Sequence, residues 1–147
     1  MFTSVNSRAA SAYKRVAADT GVQSASPHQL VSLLFDALLQ SLARARGALA
    51  AGDMAAKGEA IGKAVRILEE GLKAGLNMEQ GGELAQNLRG MYSYCIVRLT
   101  HANLRNDAAA LAEVSALIEP VADSWKQIKN SGTAAPHPQA RADLVGA

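Results

Sequence analysis

Apolar residues recur every three or four positions through four long segments of this 147-residue chain. A helical turn of 3.6 residues brings such positions to one side, so this spacing predicts amphipathic α-helices. The first two segments run from Leu30 to Leu49 and from Met54 to Leu76, and the last two from Leu84 to Ala102 and from Leu111 to Ile128. Each helix has one apolar stripe to bury, and helices that pack against one another satisfy this need.

Capping residues mark the ends of the first helix. Ser26 can cap its N-terminus, Pro27 occupies the first helical position, and Gln29 completes a capping box. Gly52 is expected to end the helix, and Asp53 can cap the next one. The two helices should be neighbours because so few residues connect them.

Gly81 and Gly82 interrupt the periodic pattern and predict a hinge, after which the third helix begins with a polar outer face. Asp107 can cap the last helix. Pro120 lies within that helix, where it removes a backbone donor and clashes with the carbonyl of Ala116, so we expect a kink.

The predicted fold is all-α, an antiparallel up-down-up-down four-helix bundle with a short N-terminal helix. Helices of about 20–25 residues would be roughly 30–37 Å long. Residues 1–25 are expected to form a mobile N-terminal segment, residues 26–130 the bundle, and residues 131–147 a disordered tail. Aromatic residues make up only 4% of the chain, which suits closely packed helices better than a β-sandwich.

Charge and cysteine content restrict the function classes. Fifteen basic and thirteen acidic residues give a formal charge of +2, too balanced for the basic footprint of a nucleic-acid-binding protein. The single cysteine, Cys95, cannot form an intramolecular disulfide, which favours a reducing compartment. No run approaches the ~20 apolar residues that span a bilayer. We expect a cytoplasmic protein that binds no nucleic acid and does not insert into membranes.

Catalytic and metal-binding patterns are missing from the sequence. Residues 58–63 resemble a phosphate-binding loop, but three residues separate the glycines instead of four and no strand precedes them. His28, His101 and His137 are far apart and are each expected to be solvated, and no glutamate has a histidine three residues later. Cys95 lies on a core stripe, where burial raises a thiol pKa. We therefore expect no enzyme, no metal site and no cofactor.

The apolar band on the first helix is wider than packing against one neighbouring helix requires. Val31, Phe35, Leu39 and Leu42 extend the stripe, and Asp36 lies beside them. A soluble protein seldom leaves such a band uncovered, so it could bind a partner. Alternatively, it is the second core face of a helix that contacts two neighbours.

Two glycines in the middle of the second helix are a further candidate contact. Gly58 and Gly62 each cost about 1 kcal/mol relative to alanine. A helix packed tightly over them would explain their presence, although weak selection on helix propensity would also suffice.

Several motifs in register resemble the FliS family of flagellin export chaperones, from about Tyr13 to Asn130. Residues 25–36 are similar to the family pattern A-S-P-x-x-L-V-x-x-L-Y-D, with Phe35 in place of its tyrosine. Residues 81–88 are similar to G-G-E-I-A-x-N-L, and residues 91–94 to L-Y-x-Y. Arg98, residues 102–104 and Trp125 follow in the expected order.

The resemblance implies a cytoplasmic chaperone that holds the disordered C-terminal segment of flagellin and prevents its polymerisation before export. It also implies docking at an export gate component of the flagellar secretion apparatus. Amphipathic flagellin helices would bind in apolar grooves of the bundle. We expect partner contacts at the band, Asp36 and the two glycines, and a segment around Tyr13 and Val16 that covers Phe35 and Leu39 until the client arrives.

Two other functions remain open at this stage. A structural or regulatory bundle could form a homodimer through the same band and carry no client. A peripheral membrane protein could use the first long helix, but its cations Arg44 and Arg46 both lie near its end, which weakens this alternative.

Overall fold

The computed structural model describes residues 26–128, and this part of the chain is all-helical. The helices are α1 (Pro27–Ala51), α2 (Met54–Arg66, continued by a π-helical segment over Ile67–Lys73), α3 (Met78–Arg105) and α4 (Ala108–Gln127). The predicted N-terminal helix, with Tyr13 and Val16, and the predicted tail 131–147 lie outside the described residues.

The predicted start of α1 and its boundary with α2 are both confirmed. The Ser26 hydroxyl accepts a hydrogen bond from the Gln29 amide at 3.2 Å, and the Ser26 amide donates to Gln29 Oε1 at 2.8 Å. Gly52 ends α1 in the left-handed conformation, with φ 77°. Asp53 then accepts from the Ala56 amide at 3.1 Å. These caps satisfy backbone groups that helix ends leave without partners.

The connection between α2 and α3 differs from the prediction in one respect. Asn77 caps α3 by accepting from the Gln80 amide at 3.0 Å, so the helix begins at Met78, before the glycine pair. The predicted break is present at Gly82, whose φ of 54° and ψ of −132° kink α3 after its first turn. Only glycine adopts this conformation without strain.

The last helix also begins as predicted. Asn106 ends α3 with φ 53°, and Asp107 accepts from the Ala110 amide at 3.2 Å. α4 continues through Pro120 to Gln127, so the proline does not end it. Ala116, whose carbonyl loses a donor, is exposed, and water can satisfy that carbonyl. A bend at Pro120 stays a prediction.

The core draws on all four helices. α1 packs against α2 and α4, and α3 packs against α4 and the π-helical segment. The largest fully buried side chains include Leu34, Leu38, Ile61, Leu68, Tyr92, Leu99, Leu111 and Ile118. None of the helices between residues 26 and 128 is long and apolar enough to span a membrane.

Two predictions about the helix faces are wrong. The spacing of apolar residues predicts core positions for Met54 and Leu84, but they are 41% and 51% exposed. The outer face of α3 was expected to be polar, yet it carries Tyr94, Val97 and Leu104 in exposed positions. Periodicity locates a stripe, but which turns of it are covered depends on where the neighbouring helices end.

Buried Cys95 and Trp125 lie in the core as predicted. Cys95 has no exposed surface, and Trp125 is 3% exposed. Burial, with a smaller contribution from the Glu113 carboxylate, raises the pKa of the Cys95 thiol to about 11. The thiol is therefore protonated at neutral pH and behaves as a small apolar side chain.

A buried lysine fastens the start of α2 to the end of α3. Lys57 is 5% exposed, and its Nζ donates to the Asn103 carbonyl at 2.8 Å and to Asn106 Oδ1 at 2.6 Å. The last carbonyls of a helix lack internal donors and form the negative end of its dipole. The Lys57 ammonium group therefore caps the C-terminus of α3.

Candidate functional site: an apolar groove between α3 and α4

An apolar groove of about 250 Å³ lies between the N-terminal half of α3 and the C-terminal half of α4. Its lining residues are Phe35, Leu84, Leu88, Tyr92, Pro120, Val121, Ser124, Trp125 and Ile128. No charged side chain is among these described lining residues. The groove is thus suited to apolar side chains of a partner and offers no ionised group for catalysis.

The helical repeat places these residues along both walls of the groove. Leu84, Leu88 and Tyr92 lie four residues apart on α3, so they form one row along that helix. Val121 and Trp125 have the same spacing on α4. Exposure decreases along the α3 row, from the 51% exposed Leu84 through half-buried Leu88 to fully buried Tyr92. The groove is therefore open at the end near the Gly82 kink.

The start of α1 is held against the end of α4 beside this groove. The His28 and Trp125 rings stack with centroids 4.5 Å apart and planes 19° from parallel. Trp125 Nε1 donates to the His28 carbonyl at 3.2 Å, and His28 Nε2 lies 3.1 Å from the Trp125 carbonyl. His28 was predicted to be solvated, but it is half-buried because Trp125 covers one face of its ring.

Asp36 lies near the groove, and its carboxylate is paired within the described structure. Lys126 donates to Asp36, and both side chains are partly exposed. Phe35 and Trp125, their respective chain neighbours, line the groove. The predicted role of Asp36 in partner binding stays a prediction, and any partner would meet a carboxylate that already has a cation.

The structure separates the other predicted contact residues. Val31 and Phe35 are almost completely buried, as is Leu42, so this part of the band is a second core face of α1 and not an open surface. Of the predicted contact residues that the structure describes, Phe35 alone lines the apolar groove. Leu39 is half-buried and lines a more polar groove of about 340 Å³ between α1 and α4, together with Arg46 and other residues.

Gly58 and Gly62 are not covered tightly by another described helix. A Cβ at Gly58 would meet Asn103 Oδ1 at 3.9 Å, and one at Gly62 would meet the Arg66 guanidinium at 3.8 Å. Both are ordinary contact distances. The explanation by close helix packing within residues 26–128 is therefore wrong, and contact with a partner stays a prediction.

Most groove residues were missed as site residues because the sequence places them on core stripes. Leu84, Leu88, Trp125 and Ile128 have the same spacing as fully buried neighbours. Pro120 is the one useful signal, since proline inside a helix is costly unless its position has another use.

Among the described residues, no group of three or more His, Cys, Asp or Glu side chains could hold a metal ion.

Comparison with known proteins identifies the family. The model of the family described as "Flagellar protein FliS" matches residues 9–132. A flagellar secretion chaperone FliS of Salmonella typhimurium is 54% identical over 117 residues, covering 80% of this chain and 87% of that protein. The chaperone of the same name from Escherichia coli is 44% identical over 116 residues, covering 79% and 85%.

A more distant relative supports the same assignment. The flagellar secretion chaperone FliS of Bacillus subtilis is 33% identical over 106 residues, which covers 72% of this chain and 77% of that protein. The family is one of chaperones and not of enzymes. The motifs in register, the all-helical fold and these similarities agree, and the chain belongs to the FliS family of flagellar secretion chaperones.

Proposed function

We propose that this protein is a cytoplasmic export chaperone that binds the C-terminal segment of flagellin, prevents its premature polymerisation and keeps it competent for export. Membership of the FliS family and the names of its relatives support this function. The uncharged groove between α3 and α4 is the observation that links this function to particular residues. Docking of the loaded chaperone at an export gate component is part of the same proposal.

The groove suits the anchor residues of an amphipathic helix better than a whole extended chain. A helix laid over it would insert side chains spaced three or four residues apart, which matches the spacing of Leu84, Leu88 and Tyr92 on the receiving helix. Leu84 supplies exposed apolar surface at the open end. Folding of a disordered client costs ordering entropy, which burial of its apolar face offsets.

The short connections between helices support the up-down-up-down arrangement of the bundle. Gly52 and Asp53 join α1 to α2, and Asn106 and Asp107 join α3 to α4. Two-residue connections favour antiparallel neighbours. This arrangement would align α3 and α4 side by side along the groove.

The N-terminal segment is proposed to cover the client site when flagellin is absent. His28 stacks on Trp125, which lines the groove, so the start of α1 lies close to the groove. A tethered segment competes as an intramolecular ligand at high effective concentration. Removal of residues 1–20 should then tighten flagellin binding, and Tyr13→Ala should have a weaker effect in the same direction. Weaker binding by the truncated chain would make the segment part of the client site.

Calorimetric titration of the full chain tests the client. We expect one-to-one binding of intact flagellin and loss of binding when the C-terminal segment of flagellin is removed. Affinity should depend weakly on salt, because buried apolar anchors are not screened as exposed charges are. Equal binding of both flagellins would refute the proposal. Light scattering of the protein alone and with flagellin separates this function from that of a client-free homodimer.

A further inference from the structure

The outer face of α3 carries a second apolar surface, distinct from the groove. Tyr94, Val97 and Leu104 are 45%, 65% and 76% exposed. With Gly90 and His101 they form the α3 outer stripe, whose members are spaced four, three, four and three residues apart. This is the repeat of a helix face that contacts another helix.

The α3 outer stripe and the groove lie on nearly opposite sides of the same helix. Successive residues are about 100° apart, so the middle of the stripe lies roughly 160° around the axis from Leu88. One rigid client helix in the groove cannot also cover the stripe. The stripe therefore offers a second binding surface, whose use does not depend on the proposed flagellin site.

Tyr94 and Gly90 are two members of the stripe whose local structure favours contact with a partner helix. The Tyr94 hydroxyl donates to Glu113 Oε2 at 2.5 Å, and Arg98 Nε donates to Glu113 Oε1 at 2.7 Å. The ring is thus already fixed, which reduces the entropy lost on binding. At Gly90, an added Cβ would have no atom within 4 Å, so a partner helix can approach closely there.

The charges beside the stripe select the partner. Residues 84–106 include three arginines and no aspartate or glutamate. Glu113 neutralises Arg98, and Asp107 lies 3.3 Å from the ring of His101. Within residues 26–128, no carboxylate pairs with Arg89 or Arg105, which lie on opposite flanks of the stripe. A partner with acidic flanks would supply the missing charges.

A second copy of the chain fits this surface poorly. From Gly90 to Leu104 the stripe is roughly 21 Å long, one helix face wide, which is small against the ~800 Å² per partner of a stable interface. In an antiparallel self-pair centred on Val97, Arg89 of one copy would also lie opposite Arg105 of the other. We propose that the α3 outer stripe binds an amphipathic helix of another protein whose apolar face is flanked by acidic residues, in a weak and transient complex.

Designed peptides test this proposal with the full-length chain. One 21-residue helical peptide carries leucines at positions i, i+3, i+4 and i+7 with flanking glutamates, and its matched control has lysines at the flanks. Fluorescence anisotropy should show at least tenfold tighter binding of the glutamate peptide. Amide NMR shifts should centre on Tyr94, Val97 and Leu104.

Substitutions identify the surface and distinguish the outcomes. The double variant Val97→Ser with Leu104→Ser should lower peptide affinity at least fivefold, whereas the groove variant Leu84→Ser should not. Equal binding of both peptides, or shifts centred on the groove, would overturn the proposal. It would also fail if the double variant abolished self-association, which would indicate a second copy, or weakened flagellin binding. Leu84, Val97 and Leu104 are exposed, so the melting curves of these variants should match that of the parent protein.

Discussion

His28 and Trp125 hold each other by two hydrogen bonds and a ring stack, although 97 residues separate them in the chain. Each residue offers its ring nitrogen to the main-chain carbonyl of the other. The start of α1 is thereby fixed against the end of α4, and the Trp125 ring becomes a wall of the apolar groove. Stability and the shape of the candidate client site thus depend on the same pair.

Trp125→Ala should lower the free energy of unfolding by about 3–5 kcal/mol, because a large buried ring is replaced by a cavity. Trp125→Phe retains an aromatic ring but loses the donor to the His28 carbonyl, so its cost should be about 1 kcal/mol. His28→Ala, which removes the stack, should cost a similar amount. Urea unfolding measures all three. An alanine variant no less stable than the phenylalanine variant would contradict this account of the pair.

Lys57→Met should lower the free energy of unfolding by about 1–3 kcal/mol, because the carbonyl of Asn103 and the side chain of Asn106 lose a charged donor. The matched control is Lys73→Met, which removes only a surface pair with Glu69 and should cost less than about 0.5 kcal/mol. Thermal and urea unfolding compare the two variants. Equal effects would show that the Lys57 cap adds little.

Gly58→Ala and Gly62→Ala should each raise the free energy of unfolding by about 0.5–1 kcal/mol, because a methyl group fits and alanine favours the helix. Gly82→Ala should instead destabilise by about 1–3 kcal/mol, since its positive φ strains any other residue. Chemical unfolding provides the measurement. Destabilisation by the first two substitutions would show packing tighter than the distances indicate.

The same two variants test the predicted contact of Gly58 and Gly62 with flagellin. A partner helix lying close to these glycines would be displaced by a methyl group. Reduced flagellin affinity in variants that are more stable than the parent would support the contact. Unchanged affinity would remove both glycines from the client site.

The pKa of the Glu113 carboxyl is lowered in the folded protein, chiefly by the hydrogen bond from Tyr94 and then by the one from Arg98. Its contribution to stability is therefore present above the unfolded pKa of about 4.3 and is lost as pH falls through the lower folded value. NMR titration of the carboxyl carbon should give a midpoint below that of the unfolded chain. In Tyr94→Phe the midpoint should rise, and an unchanged midpoint would contradict the assignment of cause.

Local signals in the sequence were sufficient for most of the helix boundaries. Ser26, Gly52, Asp53 and Asp107 each act on backbone groups a few residues away, so their roles follow from the chain itself. The start of α3 was missed because Asn77 is also a capping residue and allows one turn before Gly82 breaks the helix. Asn77 and Gly82 both favour a helix boundary, and the sequence pattern alone does not show at which of them the helix begins.

The groove and the outer stripe of α3 were harder to predict because exposure is a tertiary property. Leu84 and Leu88 have the same periodicity, yet Leu84 is exposed and Leu88 is half-buried, because the neighbouring helices cover the two turns to different extents. Val31 and Phe35 were candidates for an open band, but α1 contacts both α2 and α4 and so buries a wide face. Pairings such as His28 with Trp125 connect opposite ends of the sequence, where no spacing rule applies.

Flagellin binding by the Leu84→Glu variant tests the central claim most directly. A charge in the apolar groove must be desolvated when the client binds. Calorimetric titration should therefore show that the affinity for flagellin falls by about tenfold or more. Leu104→Glu makes the same change on the opposite face of α3, at a residue that is even more exposed, and should leave flagellin affinity unchanged. If Leu84→Glu binds flagellin as tightly as the parent protein, or if both variants lose affinity equally, the groove between α3 and α4 is not the specific client site.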